Sequence, residues 1–327
     1  MALRAALLLV SALLAGGPCH GAERLIYDSP LPHNEYGARL VRAFAEKVLA
    51  ATSGEVEILV RQNGVLGLTG AETLAAVREG LVHMADMQMN QQVGEEPILG
   101  IESLPCLARD FGQLRALRAF TRPHFEKAAL KHNQKILFMF PLPRQNLYSK
   151  RDVRDPEALR GLKVRTIDRN ATAFYAYLGA VPIQMPFAEV AAALSSGLLD
   201  GVSTSSTTAV SGAFWDFLTH AHQMRWQMNS FMATANLDAW RRIPTHLQPV
   251  IETIAAGTEA ELWAVAEETD AVADATLRAR GLIFSDPDAA FETRLRAACD
   301  QVLDDFRKTA SPEAAGIIRD YLARAGS

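Results

Sequence analysis

The chain has 327 residues, of which 49% are hydrophobic and 21% are charged, and its formal net charge is −4 at pH 7. This length exceeds the usual size of a single hydrophobic core, so we expect two domains in an ordinary globular protein. The mildly acidic balance offers no basic face of the kind that nucleic-acid binding requires, and we expect no nucleic-acid partner.

The first residues are typical of an export signal. One arginine precedes an apolar run over residues 5–15, and small residues before Ala22 lead into a charged segment. The apolar run is too short to span a bilayer as a helix. We therefore predict a signal peptide over residues 1–22, cleaved near Ala22, and a soluble protein in the periplasm. A lipoprotein site at Cys19 is the alternative, although the proline before it is a poor fit.

Short apolar strands alternate with amphipathic helices in the first part of the chain. Leu40, Val41, Phe44 and Val48, for example, recur at helical spacing. The predicted order is a strand at 24–27, a helix at 36–50, a strand at 56–60, a helix at 71–78, and strands at 84–87 and 135–140. The order up to the strand at 84–87 predicts parallel strands joined by crossover helices.

The segment 159–201 repeats this pattern with the clearest signals of the chain. The alternation Leu162-Lys163-Val164-Arg165 indicates a strand, and the helix after it ends at Gly179, where a left-handed C-cap is expected. A strand at 181–185 and a helix opened by Pro186 follow. The segment is therefore a β-α-β-α unit, with Arg165 at the end of its first strand.

Two segments predict crossings between domains, and a third predicts a long helix. We expect crossings at 141–143 and in the strand 230–235, and a helical stretch from 245 to 280, either unbroken or interrupted near Gly257.

The predicted fold class is α/β, with a mixed sheet flanked by helices in each domain. The predicted domains are discontinuous: domain I comprises 23–141 plus 231–268, and domain II comprises 142–230 plus 269–327.

Within 159–201 many residues match a family signature in register. They are Leu159, Gly161 to Val164, Arg165, Leu178 to Ala180, Pro182, Met185, Pro186, Glu189, Val190, Ala193, Leu194, Gly197, Asp200 and Gly201. The segment resembles the solute-binding proteins of tripartite ATP-independent periplasmic (TRAP) transporters, the DctP-type family. The resemblance implies a periplasmic-binding-protein fold with a long interdomain helix. It also implies a protein that is not an enzyme and that delivers a small organic acid to the small and large membrane subunits of a permease.

The resemblance gives two arginines a role. In the family, the arginine at the position of Arg165 grips the carboxylate of the substrate, and many members have a second one at the position of Arg144, at the first crossing. The planar fork of donors of a guanidinium fits a carboxylate better than an ammonium does. The alternatives are a surface position for Arg165 and an interdomain ion pair for Arg144.

Weaker candidates follow from their places in the pattern. After Gly201 the chain departs from the family's usual Gln-Glu-Asn run, and counting places Thr204 at the asparagine position. A loop that caps a helix is the alternative there. Ligands of open α/β sheets bind beyond the carboxyl ends of the strands. On that ground we expect the cleft to be lined by Tyr27, Asn34 and Asn90 and, at the second crossing, by Trp226 and Phe231, with a core position as the alternative for Trp226.

No catalytic constellation or metal motif is apparent, so we expect no cofactor and no metal, although some members of the family bind a cation beside the acid. We expect Cys106 and Cys299 to be unpaired buried thiols rather than a disulfide.

The predicted protein is a monomer that binds a monocarboxylate with a hydroxy, keto or aromatic group. A sensor that presents its ligand to a receptor kinase is the alternative function. A hydrolase that uses a serine of 203–206 would lack a partner histidine and acid.

Overall fold

A computed structural model describes residues 22–68 and 70–325. The predicted signal peptide, apart from Ala22, lies outside the described residues, as does the alternative lipid site at Cys19. No helix in these ranges is long and apolar enough to cross a membrane.

Strands and helices alternate along the described chain. The strands are β1 (Glu23–Asp28), β2 (Val56–Arg61), β3 (Met84–Gln88), β4 (Gln134–Leu142), β5 (Gln145–Ser149), β6 (Lys163–Thr166), β7 (Val181–Gln184), β8 (Gly201–Ser205), β9 (His220–His222), β10 (Asn229–Asn236) and β11 (Ile283–Ser285). The helices are α1 (Tyr36–Ala51), α2 (Thr73–Arg78), α3 (Phe111–Lys131), α4 (Arg169–Tyr177), α5 (Phe187–Ser195), α6 (Ser206–Ser211), α7 (Leu237–Arg242), α8 (Gln248–Ala279), α9 (Ala289–Thr309) and α10 (Pro312–Ala325).

The first sheet has the strand order β2-β1-β3-β10-β4. β1 runs parallel to β2 and β3, whereas β10 runs antiparallel to β3 and β4. Helix α1 packs on this sheet because Val41, Phe44 and Val48 form one buried stripe. The predicted parallel unit with crossover helices is therefore confirmed.

The second sheet has the strand order β11-β9-β5-β8-β6-β7. Strand β6 runs parallel to β7 and β8, as a crossover helix requires. Helix α4 begins after its N-cap residue Asp168 and ends ahead of Gly179, whose φ of 89° is the left-handed conformation that the sequence predicted. The β-α-β-α unit over 159–201 is confirmed.

The two sheets belong to two units that crossings and one helix connect. β4 in the first sheet is followed directly by β5 in the second, and β9 in the second sheet is followed by β10 in the first. Helix α8 is an unbroken helix of 32 residues that packs against α1, β4 and, on the second unit, α6. The mixed α/β fold with two domains and a long interdomain helix is confirmed, and the helix has no interruption near Gly257.

Helix α10 returns to the first unit. Its residues Ala314, Ile317 and Ile318 are buried in the hydrophobic core beneath α2 and α3. The predicted boundaries assign all of 269–327 to domain II, whereas this terminal helix packs with the first sheet. The other domain boundaries remain predictions.

Cys106 and Cys299 form a disulfide, with their Cα atoms 5.9 Å apart, so the prediction of two unpaired thiols is wrong. The reason is that the segment before α3 lies against the second unit. There the backbone N–H of Cys106 donates to the carbonyl of Trp226 at 2.8 Å. Arg109 forms an ion pair with Glu292 of α9 at 2.9 Å. These contacts bring Cys106 to α9, which carries Cys299, although 193 positions separate the two in sequence.

Candidate functional site

The carboxyl ends of strands from both sheets meet where the two units come together. On the first unit, β1 and β3 end at Asp28 and Gln88, and on the second, β6 ends at Thr166. A side-chain hydrogen bond from Asn90, just after β3, to Asp168, just after β6, joins the two sides. We call the region between these strand ends the cleft, with a first wall from β1 and β3 and a second wall from β6 and β8. This is where open α/β sheets bind their ligands.

Arg165 lies in the second wall with 2% of its surface exposed. Its Nε donates to the backbone carbonyl of Met185 at 3.1 Å, and its Nη2 has no hydrogen-bond partner among the described residues. Burial lowers the pKa of Arg165 to about 10, and the charge of Asp168 opposes this shift only in part. Because a buried guanidinium without a paired carboxylate is costly, this side chain is well suited to receive an anion.

Asp168 is buried near Arg165, but its oxygens are bonded elsewhere. Its carboxylate accepts the backbone N–H of Ala171 at 2.7 Å, as the N-cap of α4, and Nδ2 of Asn90. Burial raises the pKa of Asp168, and these hydrogen bonds oppose the rise. Oδ1 of Asn90 has no partner among the described residues. Asn90 therefore links the two walls and keeps one acceptor unpaired.

The first wall carries a group of buried oxygen atoms. Tyr27 and Asp28 end β1, and Asp86 lies beside them on β3. Burial raises the pKa of Asp86 to about 7 and that of Asp28 to about 6, and burial followed by the two carboxyls raises the pKa of Tyr27. Ser29 donates to Oδ2 of Asp86 at 3.2 Å. Within the described chain, Oη of Tyr27 and Oδ1 of both acids have no hydrogen-bond partner.

Arg144 lies at the first crossing, between β4 and β5. Its Nε and Nη2 donate to Oδ2 of Asp270, on α8, at 2.8 and 2.7 Å. Burial raises the pKa of Asp270, and the charge and hydrogen bond of Arg144 lower it. The structure therefore places Arg144 in an ion pair with the long helix, at the junction of the two units.

Thr204 is buried in β8, opposite Asn146 of β5 and one strand away from Arg165. This register places it in the second wall. The adjacent Ser205, rather than Thr204, is the N-cap of α6, since its hydroxyl accepts the backbone N–H of Thr208 at 3.3 Å. The capping role that the sequence offered as an alternative belongs to this neighbouring serine.

The two aromatic residues at the second crossing lie in the cores on either side of it. Trp226 is fully buried and stacks on Phe174 with ring centroids 4.2 Å apart, while Tyr175 meets it edge-on at 5.7 Å. Phe231 stacks on Phe140 at 5.2 Å in the core of the first unit. Both aromatic residues therefore form part of the packed cores behind the walls.

Of the residues selected from the sequence, Asn90 and Arg165 are both near Asp168, and Thr204 lies on the strand next to that of Arg165. Tyr27 lies near the end of β1 and is buried in the hydrophobic core of the first unit. Asn34 is exposed in the turn that precedes α1. The predicted set thus divides into residues of the walls, an ion-paired residue at the junction, aromatic residues in the cores and one residue at the surface.

Sequence reasoning missed the acids of the cleft. Asp28 directly follows Tyr27, Asp168 follows Arg165 by three positions, and Asp86 interrupts the fully buried strand β3. An acid in a buried strand was the available signal, because buried carboxyl groups need a partner. Its neighbours could not be deduced, since Ser29 and Asp86 are 57 positions apart.

Comparisons with known proteins show the family of the chain. Residues 31–309 match the family DctP, described as bacterial extracellular solute-binding protein, family 7. A solute-binding protein of Albidiferax ferrireducens is 26% identical over 184 residues, which cover 55% of this chain and 54% of that protein. The 2,3-diketo-L-gulonate-binding periplasmic protein of Escherichia coli is 26% identical over 286 residues, covering 85% of each chain.

Solved structures have the same fold. An extracytoplasmic solute receptor of Bordetella pertussis that binds pyroglutamic acid is 26% identical and has a TM-score of 0.88, covering 92% of this chain and 99% of that one. A TRAP periplasmic solute-binding protein of Desulfovibrio desulfuricans with bound sn-glycerol-3-phosphate is 23% identical, with a TM-score of 0.86 and coverages of 93% and 98%. The chain therefore belongs to the DctP family of bacterial extracellular solute-binding proteins, as the signature in 159–201 predicted.

Proposed function

We propose that this protein is the periplasmic solute-binding subunit of a TRAP transporter, which closes its two units around a small organic acid. The observation that carries the proposal is the buried guanidinium of Arg165, which is bonded to a carbonyl and forms no ion pair with a carboxylate of the described residues. Membership of a solute-binding family supports a receptor rather than an enzyme.

The carboxylate of the acid pairs with Arg165 through Nη2. In a closed cleft the effective dielectric constant is low, so this charge-assisted hydrogen bond is stronger than it would be in water. Tyr27 and Asn90 supply polar contacts from the first wall, and Thr204 supplies one from the second. Arg144 borders the same site from its ion pair with Asp270, and Trp226 and Phe231 support the walls from their cores.

The ligand shifts an equilibrium between open and closed arrangements of the two units. The crossings and α8 are the connections about which domain I (23–141 plus 231–268) and domain II (142–230 plus 269–327) move. The exception is the terminal helix α10, which falls within the predicted bounds of domain II but packs on the first unit and moves with it.

The working environment is the periplasm, where the protein acts as a monomer after its signal peptide is removed near Ala22. It delivers the acid to the small and large membrane subunits of the permease. Solved relatives that are themselves TRAP solute-binding proteins support a permease as the partner over a receptor kinase. The pyroglutamic acid that the Bordetella pertussis receptor binds is the first ligand to test, because that receptor is 26% identical to this chain.

Replacement of Arg165 tests the proposal. Calorimetric titration of the wild-type protein with pyroglutamate and a library of small carboxylates identifies the acid that binds. The Arg165→Ala variant is expected to bind that acid about 100-fold more weakly, because it lacks the buried positive charge. Arg160→Ala is the matched control, since Arg160 is exposed, lies in the same signature segment and, among the described residues, forms an ion pair only with a surface glutamate, Glu157.

Thermal unfolding and circular dichroism establish that both variants are folded. Equal affinity of Arg165→Ala and wild type for the same acid would contradict the proposal. So would a wild-type protein that binds no carboxylate in the library.

A further inference from the structure

The first wall of the cleft presents hydrogen-bond acceptors, which is the opposite of the second wall. Oδ1 of Asp28, Asp86 and Asn90 is in each case buried without a hydrogen-bond partner in the described part of the chain. These residues are 3%, 0% and 3% exposed. On the second wall, the unpaired atom of Arg165 is Nη2, which only donates. A ligand that satisfies both walls accepts at one end and donates at the other.

We infer that the acid bound by this protein is a monocarboxylate that also carries an N–H or O–H donor, and that Asp28 and Asp86 receive this donor and exclude dicarboxylates. This inference rests on the proposed function and names the chemical class of its ligand.

The two acids lie close together on neighbouring strands. Asp28 of β1 pairs with Ala85 of β3, so Asp86 is the next residue along. Ser29 donates to Oδ2 of Asp86 at 3.2 Å, which leaves Oδ1 as the free acceptor. The charge of Asp28 raises the pKa of Asp86, so the two carboxyls, which we call the acceptor group, lie within electrostatic reach of each other at the end of the first wall.

The acceptor group and Arg165 belong to one cleft. Asn90 follows β3 by two positions, and its Nδ2 donates to Asp168, three residues after Arg165. A ligand whose carboxylate lies on Arg165 therefore presents its other end to Asp28 and Asp86. This places the donor of the ligand opposite its carboxylate.

The charge of the first wall determines which second group the ligand can carry. Among the described residues, neither Asp28 nor Asp86 forms an ion pair with a lysine or arginine, and no cation lowers the pKa of either. A second carboxylate placed there would face two acids with no cation to balance it. An amide N–H or a hydroxyl instead pairs the free oxygens without adding negative charge.

Tyr27 extends this selectivity. Its hydroxyl is fully buried without a partner among the described residues and can either donate or accept. A group that combines a donor with a carbonyl, such as a lactam, matches this set of atoms.

Pairs of ligands that differ by one donor test the inference on the unaltered protein. The pairs are pyroglutamate with its lactone analogue, in which a ring oxygen replaces the N–H, lactate with pyruvate, and mandelate with phenylglyoxylate. Glutarate and succinate represent the dicarboxylates. Calorimetry at pH 7.5 compares the two acids of each pair. Wherever at least one of the two binds, the acid with the donor should have an affinity at least about 10-fold higher than the acid without it. The dicarboxylates should bind more weakly than every acid with a donor.

A gain of binding tests the role of the two acids. The double variant Asp28→Asn/Asp86→Asn keeps the shape of both side chains, removes both negative charges and adds amide donors. It is expected to raise the affinity for glutarate, relative to pyroglutamate, by about 10-fold. Asp304→Asn is the control, because Asp304 is exposed and pairs with Arg307 on the surface of α9.

The outcomes separate this inference from the proposed function. If dicarboxylates, or acids that lack a donor, bind as tightly as acids with a donor, and Arg165→Ala still weakens binding about 100-fold, the inference is wrong and the proposed function stands. An unchanged preference against glutarate in the double variant would remove the assignment to Asp28 and Asp86. If no acid binds, or if Arg165→Ala binds normally, the proposed function fails and the inference fails with it.

Discussion

Two buried guanidinium groups, one in the core of the first unit and one in the cleft, differ in how their charge is balanced. Arg118 of α3 is 5% exposed and Arg165 is 2% exposed, and each keeps one N–H unpaired within the described residues. Arg118 donates from Nε and Nη2 to the two oxygens of Glu102 at 2.5 and 2.6 Å, and Nη2 also reaches Ser230 at 2.6 Å. Arg165 has the carbonyl of Met185 in place of a carboxylate.

The difference between the two regions is the counter-charge and not the unpaired N–H. The ion pair of Arg118 and Glu102 is complete inside the protein, and the hydroxyl of Thr121 adds a further hydrogen bond to Glu102 at 3.0 Å. Such a pair fixes the core of the first unit. In the cleft, Arg165 forms no ion pair with a carboxylate of the described residues, and Asp28 and Asp86 have no cation partner there, which is an arrangement that a ligand completes.

The largest expected effect contrasts the two arginines directly. Arg118→Met leaves Glu102 buried without its partner and should lower the free energy of unfolding by about 3–5 kcal/mol. Arg165→Met removes a buried charge that has no carboxylate partner, so the free energy of unfolding should stay the same or rise. Denaturation of the ligand-free proteins by urea at pH 7.5 measures both values.

Ligand binding should show the reverse order in the same two variants. Folded Arg118→Met protein is expected to bind the acid with near wild-type affinity, whereas Arg165→Met is expected to lose binding. Equal losses of stability in the two variants would show that the counter-charge is not what distinguishes the two regions.

The unbalanced acids of the first wall give the next largest effect, which depends on pH. The pKa values of Asp28 and Asp86 are about 6 and about 7 in the folded protein, above the ordinary value of 3.8. The folded state therefore binds more protons than the unfolded state from about pH 4 to about pH 7. The stabilisation is complete at the acidic end and is lost as the pH rises, so the free energy of unfolding should fall across this range.

Denaturation of the ligand-free protein at several pH values measures this slope. Asp168 and Asp270 also have pKa values raised by burial and act in the same direction, so the informative quantity is the difference between variants. Asp86→Asn should flatten the slope, and Asp304→Asn should leave it unchanged. If the free energy of unfolding changes with pH in the same way in Asp86→Asn and wild type, Asp86 does not contribute to this pH dependence.

The features that the sequence predicted correctly are those encoded locally. The strands, the helices and the C-cap at Gly179 follow from short-range periodicity and turn chemistry, which the structure keeps. The position of Arg165 in the second wall follows from its strand, because β6 and its neighbours belong to one continuous segment, 159–201.

The features that the sequence did not predict depend on contacts between distant segments. The disulfide joins Cys106 and Cys299 across 193 positions, and no local pattern shows that the segment before α3 lies on α9. The position of Asp28 relative to Asp86 depends on the register of β1 against β3, in which Asp28 pairs with Ala85, and alternation alone does not specify that register. Trp226 illustrates a further limit, since an aromatic residue at a crossing can face either the cleft or the core behind it.

Arg144 lies between the two extremes of the comparison and should give the smallest effect. It is bonded to Asp270 at 2.7 Å, and its side chain is 29% exposed, so its charge is balanced within the protein and partly solvated. Arg144→Ala should therefore weaken ligand binding by only about 3- to 10-fold, or about 1 kcal/mol.

Asp270→Asn releases Arg144 from its partner, and if Arg144 reaches the carboxylate of the ligand, this variant should bind the acid more tightly than wild type. Calorimetry on Arg144→Ala, Asp270→Asn and the double variant measures the coupling. A loss in Arg144→Ala as large as that in Arg165→Ala would place Arg144 with the unbalanced charges of the cleft, because only a guanidinium that neutralises the ligand itself can cost that much binding when it is removed.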